Sequence, residues 1–459
     1  MPLIPLLAVA CRTDPAVVEA RDFPDGFAFG TAVAGFQVDM GCPTWSDADC
    51  LDPASDWYQW VTDPAIVGDP SLYVTGEPVS DGPGMWELFE EDVDRMQADG
   101  MTALRMSLEW SRLFPDGAAE DAASVDALVP LANPAAVARY HAMFAALDAA
   151  GIDVVVTVNH YTLPTWVHDG VACHEDLTGC ADGWVTRDRI VPLIARYAGF
   201  CAREFGGEVD RWYTLNEPFA TTVSGYVFPT EDRSSPPGRL LDLDAGIAVM
   251  QDQIEAHAAM VDAIRAEDRV DADGDGAATE VGLVMNFVAM TPLDPDDPAD
   301  VAAMDHADYL YHRMYVDAVT TGAWDDDLDG VADRTRPELA DRLDVLGINY
   351  YNQLTIGALP SAPFDELPVF DFSFTFSWEP YPEGLGEVVD RAGAFGVPLW
   401  ITENGTPSVA DRGVEVLDGH LGSLAAAIGR GADVRGYLYW SYVDNYEWNH
   451  GLDLRFGLY

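Results

Sequence analysis

Residues 211–218 read RWYTLNEP. Trp212, Tyr213, Thr214 and Leu215 form a short β-prone run, and Asn216, Glu217 and Pro218 follow it directly. A carboxylate at the end of a buried strand is costly unless something pairs or uses it. The same grammar returns at 398–405, PLWITENG, where an apolar run ends in Glu403, Asn404 and Gly405. Two strands that each close on a glutamate beside an asparagine call for a fold that gathers strand ends in one place.

Outward from these two, six more strand candidates appear. They are FAFGTAV (27–33), ALRMSLEW (103–110), DVVVTVNH (153–160), EVGLVMNF (280–287), VLGINYY (345–351) and VRGYLYWSYVD (434–444). Helical patterns lie between them. MWELFEEDVDRMQADG (85–100) has Gly100 as its stop, and NPAAVARYHAMFAALDAAG (133–151) has Asn133 as N-cap and Pro134 in the first turn. IVPLIARYAGFCAREFG (190–206) reads the same way. Near-continuous apolar strands alternating with helices indicate a parallel sheet covered by helices. Eight such units predict an α/β chain folded as a single (β/α)8 TIM barrel, which places its chemistry where strands end and βα loops begin. An open doubly wound sheet is the alternative, but no Gly-rich phosphate fingerprint follows the first strand. No repeat or Pro/Ser linker divides the chain. Residues 21–459 are read as one catalytic barrel, with 1–20 set apart as a lipoprotein-type signal or N-terminal arm.

The 459 residues include 78 acidic and 24 basic side chains, for a formal charge of −54; every basic side chain is Arg. Phosphates would be repelled, so nucleic acid and anionic membrane surfaces are not expected partners. A solvated acidic surface is the plain reading, and a high-salt habitat would screen the self-repulsion. The N-terminus, MPLIPLLAVAC, is apolar and ends in small residues at Cys11, the candidate lipidated residue and the one route by which a membrane would be engaged. Cys42/Cys50 and Cys173/Cys180 sit at short spacing in Gly/Asp-rich stretches. They read as local disulfides of an exported protein (periplasmic, cell-surface or extracellular), with reduced thiols as the alternative. Cys201 falls in a helical pattern and reads as core.

Two acidic insertions, near 271–280 and 325–333, alternate Asp with small residues. Asp271, Asp273 and Asp275, and Asp325, Asp327, Asp329 and Asp333, are candidate oxygen ligands for a structural Ca²⁺. Neither has a Glu at the twelfth loop position, and plain acidic loops are the alternative.

Two carboxylates facing one another across a barrel mouth suit cleavage of a glycosidic bond. One protonates the leaving oxygen, while the other attacks the anomeric carbon. Their proton affinities must differ. Arg105 on the second strand brings a permanent cation to the same mouth, and Tyr351 is a hydrogen-bond donor beside it.

WYTLNEP, WITENG, LGINYY, LRMSLEWSRLFP and YWSYVDNYEWNHGLDLRFGL resemble the signature blocks of family 1 glycoside hydrolases, the β-glucosidase/β-glycosidase family. GFQVDMG followed by SDWYQWVTDP is similar to the archaeal β-glycosidase branch. The blocks run in the family's order from about residue 23 to 459. The resemblance implies a retaining β-glycosidase acting by double displacement on terminal non-reducing β-glucosyl or galactosyl residues of small unphosphorylated β-glycosides or oligosaccharides, with no metal or organic cofactor for the chemistry. It assigns Glu217 as acid/base and Glu403 as nucleophile, with Arg105, Tyr351 and Asn349 around Glu403. Gln37, His160, Asn216 and Glu447 would bind sugar hydroxyls, Trp440 would stack under the ring, Trp448 would add a donor, and Phe456 would close the pocket. Trp166, Trp184 and Trp378 are candidates for the entrance. A transglycosidase on the same site and an inactive carbohydrate-binding homologue are the alternatives.

Two departures stand out. A Trp commonly follows the third-strand histidine in the family, whereas this chain has Tyr161, so weaker ring contacts are expected there. The chain also stops straight after RFGLY, so the last C-terminal helix is expected to be missing and part of the barrel's outer face bare.

Overall fold

The computed structural model describes residues 21–359, 372–407 and 413–459; Cys11 lies outside them. In chain order the strands are β1 (Ala28–Ala32), β2 (Ala103–Ser107), β3 (Asp153–Asn159), β4 (Arg211–Asn216), β5 (Glu280–Asn286), β6 (Ala289–Pro292) and β7 (Ala323–Trp324). They continue with β8 (Arg334–Thr335), β9 (Val345–Tyr350), β10 (Gln353–Ala358), β11 (Phe372–Ser377), β12 (Leu399–Asn404) and β13 (Val434–Trp440). Eight of them close a parallel barrel in the order β1-β2-β3-β4-β5-β9-β12-β13, with β13 pairing back onto β1. These are the eight runs expected from the sequence, usually one or two residues shorter. Two are cut further: LEW lies beyond β2, and VRGYLYW forms β13 while SYVD leaves the sheet.

The barrel holds together from both sides. Inside, Ala32, Ala103, Val155, Tyr213, Val284, Val345, Trp400 and Leu438 form one apolar cluster, a residue from each strand. Outside, a larger core lies between strands and helices, including Leu104, Val156, Trp212, Leu283, Leu346 and Ile401. Alternate strand residues thus serve two cores, which is why the strands read as unbroken apolar runs. The helix Pro134–Ala150 begins where Asn133 accepts from the Ala135 N–H and ends at Gly151, whose φ of 71° a glycine adopts without strain.

Two parts of the chain were not foreseen. A long helix, Leu243–Glu267, packs on the helix Arg187–Phe205. A small sheet, β11-β10-β6, stands apart from the barrel's eight strands and brings β11 to the rim of the pocket described below.

Among the described residues no α-helix follows β13. The outer seam is nonetheless covered: Tyr437 and its register partner Phe29 lie where the Phe23, Phe27 and Phe29 rings pack at 4.8–4.9 Å. Tyr437 is 3% exposed. The final residues double back, with the Leu458 and Tyr459 N–H groups donating to Tyr442 O and the Tyr459 ring beside that of Tyr442. The outer face at this seam is therefore less bare than the sequence suggested.

Cys42 is bonded to Cys50 and Cys173 to Cys180, while Cys201 is a buried free thiol. The acidic insertions gather differently from the sequence expectation. Asp210 joins Asp271 and Asp273, and Asp325 joins Asp327 and Asp333, each trio with oxygens within 4.8 Å of one another. Asp275 and Asp329 are not in these trios; each accepts a backbone N–H two residues on, from Ala277 and Val331. Among the described residues no helix is long and apolar enough to cross a membrane.

Candidate active site

Both strand-end glutamates line one pocket of about 1100 Å³, its mouth included. Local backbone geometry places them. The register of β12 against β9 shifts between Ile401 and Glu403, and that of β4 against β5 shifts between Tyr213 and Asn216. Glu217 has φ 43°, a left-handed conformation unusual for a residue with a side chain, and its N–H donates to Val284 O. Pro218 then starts a short helix. Asn216 and Glu217 thereby both reach the pocket, although they are sequence neighbours.

The two carboxylates have different partners. Glu403 accepts from Arg105 Nη1 at 2.6 Å on Oε1 and from the Tyr351 hydroxyl at 2.7 Å on Oε2. Glu217 accepts from Asn349 Nδ2 at 2.7 Å on Oε1 and from the Tyr161 hydroxyl on Oε2. Asn349 was expected beside Glu403. Its register partner is indeed Glu403, but its amide donates across the pocket to Glu217 while Thr402 Oγ1 fixes its carbonyl end at 2.8 Å.

Arg105 is 1% exposed and fully occupied, with Nε on Thr157 Oγ1 and Nη2 on Asn216 Oδ1. Burial and the Glu217 charge push the Glu403 carboxyl up to about 7, against the pull of Arg105 and Tyr351. The two carboxylates share one buried pocket, and the negative charge of one disfavours ionisation of the other. The direct ion pair makes Glu403 the member best supported as an anion.

Around the pair lies a wall of polar atoms. Gln37 Nε2 and Asn445 Nδ2 both donate to Glu447 Oε2, at 3.0 and 2.7 Å. This leaves Gln37 Oε1 buried and without a partner among the described residues. Because Asn216 Oδ1 accepts from Arg105, its amide nitrogen faces His160 Nε2 at 3.2 Å, and the imidazole proton belongs on Nδ1. That Nδ1 is also buried and unpartnered. Burial, with the charges of Arg105 and Arg233, holds His160 well below its usual range, so the ring stays neutral. An idle acceptor and an idle donor beside Trp440, whose ring stacks on His160 at 5.8 Å, suit a polyhydroxylated ring with an apolar face.

Trp448 lies on a 3₁₀ turn, stacked on Phe36 at 5.7 Å, and lines the pocket. Phe456 meets Tyr351 edge to face at 6.0 Å. Of the three entrance candidates, Trp378 lines the pocket, its Nε1 donating to Asp232 Oδ1 at 3.1 Å. Trp166 and Trp184 do not. Trp166 is tied to Phe114 O and packs on Trp110, and Trp184 is buried in the core.

Sequence reasoning missed Asn445, which holds Glu447 from behind the lining, and the pocket-lining Arg233, Tyr311 and aromatic rim of Phe228, Phe374 and Phe376. Asn445 had a signal, lying two residues before Glu447 in NYEW. The rim had one too, since FSFTFSW alternates aromatic and small polar residues, the period of a strand with one aromatic face. Arg233 sits in an irregular loop, and nothing local marks it.

Known proteins of similar sequence and fold are glycosidases. A β-galactosidase of Pyrococcus woesei is 32% identical, covering 95% of this chain and 92% of its own. The solved β-glycosidase of Thermosphaera aggregans superposes with a TM-score of 0.80 at 29% identity, covering 95% and 92% of the two chains. A β-glucosidase of Pyrococcus furiosus gives 0.77 at 29% identity, over 96% and 91%. The model of glycosyl hydrolase family 1 matches residues 19–459, which span the whole barrel and both glutamates, and the chain belongs to that family.

Proposed function

We propose that the protein hydrolyses terminal β-glucosyl and β-galactosyl residues of unphosphorylated glycosides by double displacement, with Glu403 as nucleophile and Glu217 as acid/base. The observation that carries this reading is the unequal pairing of the two carboxylates in one pocket. Glu403, held by a buried guanidinium, is suited to attack as an anion; Glu217, bonded to neutral donors only, is the member free to carry a proton. Glu217 protonates the departing oxygen as Glu403 bonds to the anomeric carbon, and the resulting carboxylate then takes a proton from water as the ester is hydrolysed. The reaction needs no cofactor. Glu447, accepting from Gln37 and Asn445, favours hydroxyls and disfavours a phosphate on the sugar.

Nitrophenyl β-glycosides, assayed with and without a 6-phosphate, test the substrate class; preference for the phosphorylated set would overturn it. Glu403→Gln should lose turnover of activated aryl glycosides by at least about 10³-fold. Glu217→Gln should be rescued by azide with good leaving groups. A Glu403→Gln enzyme of near-normal rate ends the assignment.

We also propose export, which the two disulfides and the apolar N-terminus support, with lipidation at Cys11. A lipid mass on Cys11 in protein from membranes is the check. The converging trios at Asp210/Asp271/Asp273 and Asp325/Asp327/Asp333 support structural Ca²⁺, for which calcium should raise Tm and a chelator lower it.

A further inference from the structure

Where the family commonly has an indole after the third-strand histidine, this chain has a phenol, and the structure gives that phenol a partner the indole would not meet in the same way. Tyr161 lies two residues past β3 with φ 69°, a left-handed conformation that surrounding structure must enforce. Its ring stands edge-on to His160 and to Trp448, both at 5.1 Å. The Arg233 guanidinium lies 5.6 Å from its centroid. These contacts leave little freedom for the hydroxyl, which donates to Glu217 Oε2.

The other oxygen of Glu217 is already committed. Asn349 Nδ2 can only donate, so Oε1 is a standing acceptor in either protonation state. Oε2 faces a hydroxyl, which can accept as well as donate, so it is the oxygen whose partner tolerates a proton coming and going, and Tyr161 is the group that touches it.

We propose that Tyr161 is a positioning residue for the acid/base: its hydroxyl selects Oε2 as the proton-delivering oxygen and stabilises the carboxylate left when that proton departs. The proposal rests on Glu217 being the acid/base. In the first step the proton passes from Oε2 to the glycosidic oxygen while the Tyr161 O–H donates to a remaining lone pair of Oε2. That bond becomes charge-assisted as the carboxylate forms, so it is stronger in the transition state than before it. In the second step Oε2 takes a proton from water and the bond weakens again. Tyr161 itself stays a neutral phenol, because burial and the Glu217 charge hold it well above its usual range.

Other groups face Glu217 from every side. Glu403 comes from β12; Tyr351 follows β9, and Tyr311 comes from the helical turn Tyr309–Arg313. Arg105 reaches Glu217's neighbour Asn216, and neutral His160 adjoins that amide. Arg233 stands behind Tyr161 and 3.9 Å from Glu447. All of these are common to wild type and a Tyr161 variant, so a change between the two profiles reports the hydroxyl.

The test is the pH dependence of kcat/KM for a dinitrophenyl and an alkyl β-glycoside, in wild type, Tyr161→Phe and Tyr161→Trp. Loss of one charge-assisted bond to the carboxylate raises the proton affinity of Glu217. The alkaline limb should then move up by roughly one pH unit in both variants. The alkyl substrate, which needs the acid, should lose about tenfold in rate, and the dinitrophenyl substrate far less. An unmoved alkaline limb, or an equal loss for both leaving groups, overturns the proposal and makes Tyr161 a packing residue. If Tyr161→Phe fails to fold, Tyr161→Trp decides by the same readout, since it keeps a ring and lacks the phenol. Azide rescue of Glu217→Gln runs beside them. Its failure sinks the acid/base assignment, whereas normal rescue with an unmoved limb sinks only the role of Tyr161.

Discussion

At the residue scale, the pocket is organised by which buried donor each carboxylate meets. Removing Arg105 would leave Glu403 buried without its cation, and burial would then push its carboxyl higher still. Arg105→Met should therefore move the acid limb of kcat/KM to higher pH by a unit or more, measured with a dinitrophenyl glycoside. A second buried acid lies outside the reaction. Glu109 accepts from Ser107 and Thr162 at 2.8 and 2.6 Å, and burial pushes it up to about 7. Its folded-state proton affinity exceeds that of the unfolded chain. The stability it contributes is thus complete below about pH 4.5 and is lost as pH rises through about 7. Glu109→Gln should flatten the fall of Tm between those values; an unchanged slope would assign the fall to other acids such as Asp39, pushed up to about 6.

At the element scale, strands and helices were legible wherever one pattern dominated. Asn133-Pro134 and Gly151 bracket a helix because cap chemistry is local. Asn133→Ala should cost about 1 kcal/mol, seen as a small drop in Tm with kcat/KM intact. The sheet β11-β10-β6 was not foreseen, since short strands outside the eightfold alternation take their identity from pairing partners far along the chain. That sheet sets the rim. Phe376→Ala or Trp378→Ala should raise KM for aryl glycosides several-fold with little change in kcat, since these stacked rings line the pocket and the one polar atom among them, Trp378 Nε1, is spent on Asp232.

At the scale of the molecule, a charge of −54 dominates solution behaviour. Arginines are mostly paired, as in Arg203 with Asp126 and Glu267, but 24 cations cannot neutralise 78 acids. The remaining self-repulsion is long-ranged and screened by salt, whose Debye length falls from about 10 Å at 0.1 M to about 3 Å at 1 M. Tm should rise steadily with NaCl over that range and beyond. An equal rise in sucrose at low ionic strength would point instead to general exclusion from the surface.

The sequence alone determined the eight-unit barrel and the two strand-end glutamates, because apolar periodicity and strand–turn chemistry are written in consecutive residues. It also placed Arg105, Tyr351, Gln37, His160 and Trp440 near one another, through motifs that resemble a family. Only the tertiary structure decided that Asn349 serves Glu217, that Asp210 joins the acidic loop, and that Tyr161 reaches Glu217. Each of those is a contact between side chains from separate strands and loops. Their few ångströms depend on register shifts and loop paths that no local pattern encodes.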